Sequence, residues 1–257
     1  GTLTLSAANT YAGATTVNGG TLSVTSTGSI GGSAGVTTTA LTISSATLDL
    51  QRAITVGSLS MSGTSPAITN STGTSSLVVS GTSTLAGSIT TSGLQTYTGA
   101  VTLGAATTLT TGSSTGAILF SSTVNGAFTL STNTTGSTTF NSAVGSTVTG
   151  LTINTATLTA AAIGLATNSA LSVTNSGAGS VAGIISGTGV ALTKAGAGTL
   201  TLSGANTYGG STTINAGTLK LTGSGSLMAG AYGADIVITS GTLQDSSSVD
   251  HVLTGAI

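Results

Sequence analysis

The chain has 257 residues and a net charge of −1, and only 3% of its residues are charged, against roughly 25% in an average soluble domain. Disorder is disfavoured, because 38% of the residues are hydrophobic and disordered segments usually combine few aliphatic residues with high net charge. Nucleic acid is not an expected partner, since Arg52, Lys194 and Lys220 are the only lysines and arginines and lie far apart in sequence. The absence of cysteine excludes disulfides and thiolate metal sites.

The first predicted elements lie in residues 1–24, GTLTLSAANTYAGATTVNGGTLSV. Apolar residues alternate at Leu3 and Leu5 and again at Leu22 and Val24, which predicts two short strands with one row of side chains turned inward. The cluster Asn18–Gly20 between them is typical of a turn. Glu is absent from the whole chain and Thr and Val recur, so the chain is predicted to be all-β.

The same short alternation continues through the middle of the chain, with no stretch of helical periodicity. A ten-residue segment at 94–103, LQTYTGAVTL, is interpreted as a weak copy of the first unit, because the Thr-Tyr-x-Gly core survives as Thr96, Tyr97 and Gly99. The longest apolar stretch covers only residues 160–166. A membrane helix needs about 20 residues, so neither membrane insertion nor an export signal is expected in this chain.

A close copy of the first unit follows at residues 198–221, GTLTLSGANTYGGSTTINAGTLKL, where 17 of 24 positions are identical by direct count. Repeats of this kind favour a solenoid in which neighbouring units share one core. An antiparallel sandwich also fits short, evenly spaced strands, but sandwiches usually keep larger aromatic residues, and this chain has no Trp and only three Phe.

The sequence therefore predicts a right-handed parallel β-helix, or β-solenoid, of about ten to twelve coils with roughly 20 to 25 residues each. The predicted solenoid spans residues 1–234 and carries repeat copies at 1–24, 94–103 and 192–221. Residues 235–257 are more polar and are predicted to form a terminal cap or a self-contact segment.

The segment 192–221, LTKAGAGTLTLSGANTYGGSTTINAGTLKL, resembles the passenger-associated transport repeat, also called the autotransporter-associated β-strand repeat. Residues 1–24 resemble a second copy, and the middle is similar to repeats of large bacterial surface adhesins. The Lys-x-Gly-x-Gly lead-in of the family is present as Lys194, Gly196 and Gly198. Because Gly1 aligns with Gly198, the chain is expected to begin within a unit. The resemblance implies an exported β-helical passenger at the bacterial surface, often an adhesin or a stalk.

No catalytic residue and no cofactor are expected. Asp49 and Arg52 are predicted to form a surface ion pair. A weak candidate for a divalent metal site consists of Asp235, Asp245, Asp250 and His251, although a polar cap is the favoured interpretation of these four residues. The three tyrosines at one repeat position are expected to pack against the coils rather than to stack sugars; they are Tyr11, Tyr97 and Tyr208.

The resulting hypothesis is a structural or adhesive surface protein that is not an enzyme. A glycan-binding passenger adhesin and a β-helical polysaccharide-active enzyme that uses the C-terminal Asp/His group remain as alternatives. Partners are expected to be surface glycans or further copies of the chain, stacked end to end through an uncovered first strand. The residues of this self-association edge are Gly1, Thr2, Leu3, Thr4 and Leu5.

Overall fold

A computed structural model describes residues 1–31, 39–112, 116–228 and 231–253 of the chain. Within these ranges the backbone forms thirty β-strands, numbered β1 to β30 in chain order, and no α-helix. Every strand pair in the described part of the chain is parallel. The prediction of an all-β parallel solenoid is confirmed, because an antiparallel sandwich would pair its strands in the opposite sense.

Three ladders of parallel strands, called faces 1, 2 and 3, surround one core. Face 1 consists of β1 (Thr2–Leu5), β3 (Thr21–Val24), β5 (Thr47–Leu50), β8 (Ala67–Thr69), β10 (Ser83–Thr91), β12 (Val101–Thr111), β15 (Thr129–Asn133), β17 (Gly150–Thr155), β20 (Ala170–Asn175), β23 (Ala191–Ala195), β25 (Thr212–Ile214) and β28 (Ile236–Ile238).

Face 2 consists of β6 (Ala53–Val56), β9 (Ser76–Val79), β11 (Gln95–Tyr97), β13 (Ile118–Phe120), β16 (Ser137–Phe140), β18 (Thr157–Ala160), β21 (Gly179–Val181), β24 (Thr199–Leu202), β26 (Thr218–Gly223) and β29 (Thr242–Ser247).

Face 3 contains shorter strands and single bridges. It starts with β2 (Thr15–Val17), β4 (Ala40–Ser44) and β7 (Ser58–Ser62), and it continues through the first residues of β10 and β12. It then passes through β14 (Val124–Asn125), a bridge at Val144, β19 (Ile163–Gly164) and β22 (Ile185–Ser186). A separate small sheet pairs β27 (Ala231–Tyr232) with β30 (Val252–Leu253).

The twelve described strands of face 1 are separated by eleven steps, so the solenoid has about eleven turns, as predicted. Coil length varies more than the sequence suggested. The step from Leu41 to Leu59 takes 18 residues, whereas the step from Leu22 to Leu48 takes 26. Loops between the faces absorb this difference, because the ladders need only their short strands to stay aligned.

The core consists of inward rows that run from coil to coil. On face 1 one such row contains Leu22, Leu48, Ile68, Ile89 and Leu109, all buried. Successive residues of a strand point to opposite sides, so alternating sequences place one apolar row inside and one hydroxyl row outside. Burial of these rows, at about 25 cal/mol per Å² of apolar surface, is the main term that stabilises the stack.

Face 2 also holds a column of three aromatic rings inside the core. The ring of Tyr97 stacks on Phe120 at a centroid distance of 5.2 Å, and Phe120 stacks on Phe140 at 4.8 Å. The three residues share one register position of β11, β13 and β16, and each is buried. Large side chains fit here because each ring packs on the ring of the next coil.

Among the described residues, no helix is long and apolar enough to cross a bilayer.

Candidate functional site: the repeat unit and the two ends of the solenoid

Asn206 connects three successive coils in the second copy of the repeat. Its Oδ1 accepts a hydrogen bond from the backbone N–H of Ile185 at 2.8 Å, one coil earlier. Its Nδ2 donates to the carbonyl oxygen of Ser226 at 2.7 Å, one coil later. The side chain is fully buried, so both bonds satisfy groups that would otherwise be desolvated without a partner. This asparagine therefore links the coils of the solenoid.

Lys194 lies inside the core, in the face 1 row between Val173 and Ile214. Its Nζ donates to three backbone carbonyl oxygens, those of Ala195 at 2.6 Å, Gly196 at 2.8 Å and Ala216 at 3.3 Å. Three acceptors match the three protons of an ammonium group. Burial still lowers the pKa of Lys194 below its ordinary value, because the charged form loses its hydration.

Glycines of the unit allow the coils to approach closely. A Cβ atom at Gly198 would overlap the carbonyl oxygen of Gly177 in the preceding coil. Gly217 has a φ of +67°, a left-handed conformation that disfavours other residues, and it forms the turn before β26. The lead-in that contains Lys194 thus combines a satisfied buried charge with backbone contact between coils.

The first copy of the repeat has the same local structure 197 positions earlier. Asn9 Nδ2 donates to the carbonyl oxygen of Ser29 at 2.8 Å, as Asn206 does to Ser226. The hydroxyl of Tyr11 lies 2.7 Å from Thr15 Oγ1, and the hydroxyl of Tyr208 lies 2.7 Å from Thr212 Oγ1. The two copies nevertheless lie on different faces, because β1 and β3 belong to face 1 whereas β24 and β26 belong to face 2.

The predicted self-association edge, Gly1–Leu5, forms β1 and the residue before it. In the described part of the chain β1 pairs on one side only, with β3. Leu3 is 63% exposed, and Tyr11 is 40% exposed although its counterpart Tyr208 is fully buried. Together with neighbouring residues of β2 they line an open groove of about 600 Å³. This edge, with its groove, is called the N-terminal edge below.

The C-terminal end brings together two of the four predicted metal candidates. His251 Nδ1 lies 2.6 Å from Asp245 Oδ2, whereas Asp235 and Asp250 are exposed and take no part in this pair. No cluster of three or more ligating residues occurs within the described ranges. Hydrogen bonds from the side chain and backbone of Ser247 lower the pKa of Asp245, and His251 adds to the effect.

Asp245 also has a structural position. It follows Leu202 and Leu221 in an inward row of face 2, but its side chain is about half exposed. The aliphatic row therefore ends in a carboxylate at β29. Since β28 and β29 extend both ladders, residues 236–247 add a further coil to the solenoid. That the segment 235–257 acts as a cap stays a prediction, and residues 254–257 lie outside the described part.

Comparison with known families supports the repeat assignment. The family model described as passenger-associated-transport-repeat matches residues 1–24 and 192–221. Two segments of the chain thus match the passenger-associated transport repeat, and we call them the two transport repeats. No curated protein and no solved structure matches the chain. The two transport repeats cover about a fifth of the sequence, and the buried Asn206, Tyr208 and Lys194 all belong to the second one.

The segment 94–103 is not structurally equivalent to the transport repeats, although its sequence suggested a weak copy. Tyr97 lies within strand β11 and points into the aromatic column, and its hydroxyl donates to Gln95 Oε1 at 3.1 Å. Tyr208 instead lies between β24 and β25, outside any strand. The assignment of Tyr97 to the repeat position of Tyr11 and Tyr208 was wrong. Packing was correctly predicted for Tyr97 and Tyr208, whereas Tyr11 is exposed.

The predicted ion pair between Asp49 and Arg52 is also wrong. Arg52 Nη1 donates to the carbonyl oxygen of Gly28 at 2.6 Å. Asp49 accepts hydrogen bonds from Ser23, Gln51 and Ser71, which lie on its own and on both neighbouring coils. Burial acts to raise the pKa of Asp49, but these hydrogen bonds outweigh it and lower the pKa below its ordinary value.

Proposed function

We propose that the chain is a passenger-like segment of an exported bacterial surface protein, in which it serves as a rigid, adhesive spacer. The transport repeat is a structural repeat of exported passengers rather than the mark of an enzyme family. The observation that carries the proposal is the use of the repeat's signature side chains. Asn206, Tyr208 and Lys194 are buried, and Asn206 and Lys194 donate or accept hydrogen bonds across to neighbouring coils, so the polar side chains of the unit maintain the rod.

The dimensions of the solenoid support a spacer. Eleven steps with a strand spacing of about 4.8 Å give a rod of roughly 50 Å. Each coil contacts mainly its two neighbours, so the rod lengthens by adding coils without a change in the core. Each added coil brings aliphatic side chains that extend the core and hydroxyl side chains that face the solvent.

Surface location is tested by expressing the full-length parent gene in its host and treating intact cells with a protease. We expect antibodies against this segment to label intact cells, and we expect external protease to remove the label. Removal of the segment should reduce adhesion of cells to a host or abiotic surface. Exclusive detection in the cytoplasm, or efficient glycan cleavage by the purified segment, would contradict the proposal.

End-to-end association through the N-terminal edge is the second part of the proposal. In the second transport repeat the equivalent edge is covered by a parallel strand, with β21 pairing β24 and the N–H of Ile185 bonding Asn206 Oδ1. In the first repeat no donor within the described ranges reaches the equivalent Asn9 Oδ1. We propose that a coil of another copy pairs with this edge as β21 pairs with β24.

The opposite end of the rod sets the strength of the association. Stacking on β29 would bury the carboxylate of Asp245, which opposes the contact because buried charges lose hydration. Replacement of Asp245 by leucine would continue the aliphatic row of Leu202 and Leu221. We therefore expect weak self-association of the wild-type chain and stronger association of Asp245→Leu.

Analytical ultracentrifugation and electron microscopy test this contact. The variant Leu3→Asp places a charge in the N-terminal edge, where the side chain is 63% exposed and folding should be tolerated. It should abolish concentration-dependent association, whereas Phe128→Asp, at a residue that is 40% exposed elsewhere, should leave it unchanged. Only single short rods at high concentration for both wild type and Asp245→Leu would contradict association through these ends.

A further inference from the structure

The sequence contains two Asn-Gly dipeptides, Asn18-Gly19 and Asn125-Gly126. Asparagine before glycine is the pair most prone to deamidation, because a residue without a side chain leaves room for its backbone nitrogen to attack the asparagine amide. Both asparagines are exposed and lie at the end of a short strand of face 3, since Asn18 follows β2 and Asn125 is the last residue of β14. Their surroundings differ, and we expect this difference to decide which dipeptide reacts.

Asn18-Gly19 is an unrestrained loop between β2 and β3. Both residues are exposed, and within the described ranges neither the side chain of Asn18 nor the backbone N–H of Gly19 makes a hydrogen bond. A Cβ atom placed on Gly19 would meet no other atom within 4 Å. The chain is fixed again only at Thr21, whose N–H donates to the carbonyl oxygen of Gly1 at 2.9 Å. The amide of Asn18 can therefore turn toward the nitrogen of Gly19.

Asn125-Gly126 is held on both sides. The backbone N–H of Gly126 donates to Thr147 Oγ1 at 3.0 Å. Asn125 pairs with Thr102 in the ladder of face 3, and its amide oxygen lies against Gly145, where a Cβ atom would overlap it. Deamidation requires the amide carbon of the asparagine and the nitrogen of the glycine to approach each other. In this dipeptide the approach would break existing contacts of both groups.

The second transport repeat has the same turn without the reactive glycine. Asn215 and Ala216 are equivalent to Asn18 and Gly19, and the methyl group of Ala216 hinders attack by its own nitrogen. Asn215 Oδ1 also accepts a hydrogen bond from Thr239 of the next coil at 3.3 Å. The turn that neighbouring coils cover is thus the less reactive one. The reactive turn lies in the N-terminal edge, because Asn18 and Gly19 line its groove.

We propose that Asn18 is a site of spontaneous deamidation and that this reaction limits end-to-end association. The nitrogen of Gly19 loses its proton to water and attacks the side-chain amide carbon of Asn18. A bond forms between these atoms and ammonia leaves, which gives a cyclic succinimide. Water then opens the ring at either of its carbonyl carbons and yields aspartate or isoaspartate. The net reaction consumes water, releases ammonia and replaces the amide by a carboxylate, and it needs no oxidant or cofactor.

The product changes the chemistry of the N-terminal edge. It adds a negative charge to a chain whose net charge is −1, in the groove that Leu3 and Tyr11 also line. Stacking would bury this charge together with the carboxylate of Asp245 at the facing end, and buried carboxylates lose their hydration. A chain therefore loses its capacity to join a rod as it ages. This consequence rests on the proposed end-to-end association, whereas the deamidation itself does not.

Peptide mapping by mass spectrometry tests the reaction on the purified chain, with enzymatic methylation of isoaspartate as a second readout. During incubation of the folded protein at mildly alkaline pH, Asn18 should deamidate about tenfold faster than Asn125, the factor that corresponds to the loss of one hydrogen bond. In urea the two sites should react at similar rates, because the restraint on Gly126 is then removed.

Two variants change one site each. Gly19→Ala should slow the reaction at Asn18, and Thr147→Val, which removes the hydrogen bond to Gly126, should accelerate the reaction at Asn125. Both should keep the circular dichroism spectrum of the wild type. Equal rates at the two sites in the folded protein would overturn the inference, and so would a rate at Asn18 that Gly19→Ala does not slow.

Analytical ultracentrifugation tests the consequence for assembly, with Asp245→Leu as the parent. Addition of Asn18→Asp should remove most of the concentration-dependent association, whereas addition of Asn125→Asp, the same change outside the N-terminal edge, should leave it unchanged. Undiminished association of the Asn18→Asp variant would overturn the effect on assembly. Absence of association in the parent would refute the end-to-end contact and this effect with it, while the mass spectra alone would still decide whether Asn18 deamidates.

Discussion

The aromatic column offers the sharpest test of how the coils hold together. Phe120 is fully buried between Tyr97 and Phe140, with ring centroids 5.2 and 4.8 Å away. Replacement of a buried phenylalanine by alanine costs about 3–5 kcal/mol, because apolar contacts are lost and a cavity remains. Phe120→Ala removes both ring contacts at once. We therefore expect a loss in the free energy of unfolding near the upper end, about 4–5 kcal/mol.

Urea unfolding followed by far-ultraviolet circular dichroism measures this loss. The control Phe128→Ala makes the same chemical change at a side chain that is 40% exposed, and it should cost no more than about 1 kcal/mol. A double-mutant cycle with Phe140→Ala should give a coupling energy of about 0.5–1.5 kcal/mol. Equal effects of Phe120→Ala and Phe128→Ala, or a coupling energy of zero, would refute the idea that stacking across coils stabilises the rod.

Three further changes test the buried polar and apolar positions. Burial lowers the pKa of Lys194 in the folded chain below the ordinary value of 10.5 that applies in the unfolded chain. Between these two pKa values the unfolded chain binds more protons, so the free energy of unfolding rises with pH. Lys194→Met should abolish the corresponding rise in melting temperature. The pKa of Asp49 in the folded chain lies below its ordinary value of 3.8. The ionised carboxylate therefore stabilises the fold above pH 3.8, and this stabilisation is lost as the pH falls through the lowered pKa. Asp49→Asn should reduce the fall in melting temperature at acid pH. Leu200→Asp should prevent folding by placing an unpaired charge in the core, while Thr201→Asp on the outer side of β24 should give a normal circular dichroism spectrum; a folded Leu200→Asp would contradict the inward row.

The fold could be predicted from the sequence because its signal is local. Alternation at pairs such as Leu41/Ile43 and Leu200/Leu202 marks strands with one buried side, and the long repeat indicates that neighbouring units share a core. The number of coils followed from chain length and unit length. These features depend on residues that are close in sequence, so no knowledge of the contacts between coils was needed.

The polar contacts between coils could not be predicted, because the step between coils varies from 18 to 26 residues. Asp49 accepts hydrogen bonds from Ser23 and Ser71, which are 26 and 22 positions away in the sequence. The nearby Arg52 was predicted as its partner instead. Tyr97 was misplaced for a related reason. Its Thr-Tyr-x-Gly motif matches the repeat, but Tyr97 lies in a strand whose side chains Gln95 and Tyr97 both point inward, and a polar Gln95 beside the apolar Leu94 gave no indication of this.

The two transport repeats place their equivalent strands on different faces of the solenoid. The unit therefore does not depend on one particular face, and it is compatible with coils of unequal length. Each transport repeat makes its defining bond to a residue 20 positions later, from Asn9 to Ser29 and from Asn206 to Ser226. Such a bond joins one coil to the next, and it does not require the strand to lie on a particular face. Because nearest-neighbour contacts dominate in a solenoid, the unit can be inserted wherever the coil length brings it. The remaining coils then need only alternation and tight corners, which accounts for a middle region that keeps the fold without keeping the repeat sequence.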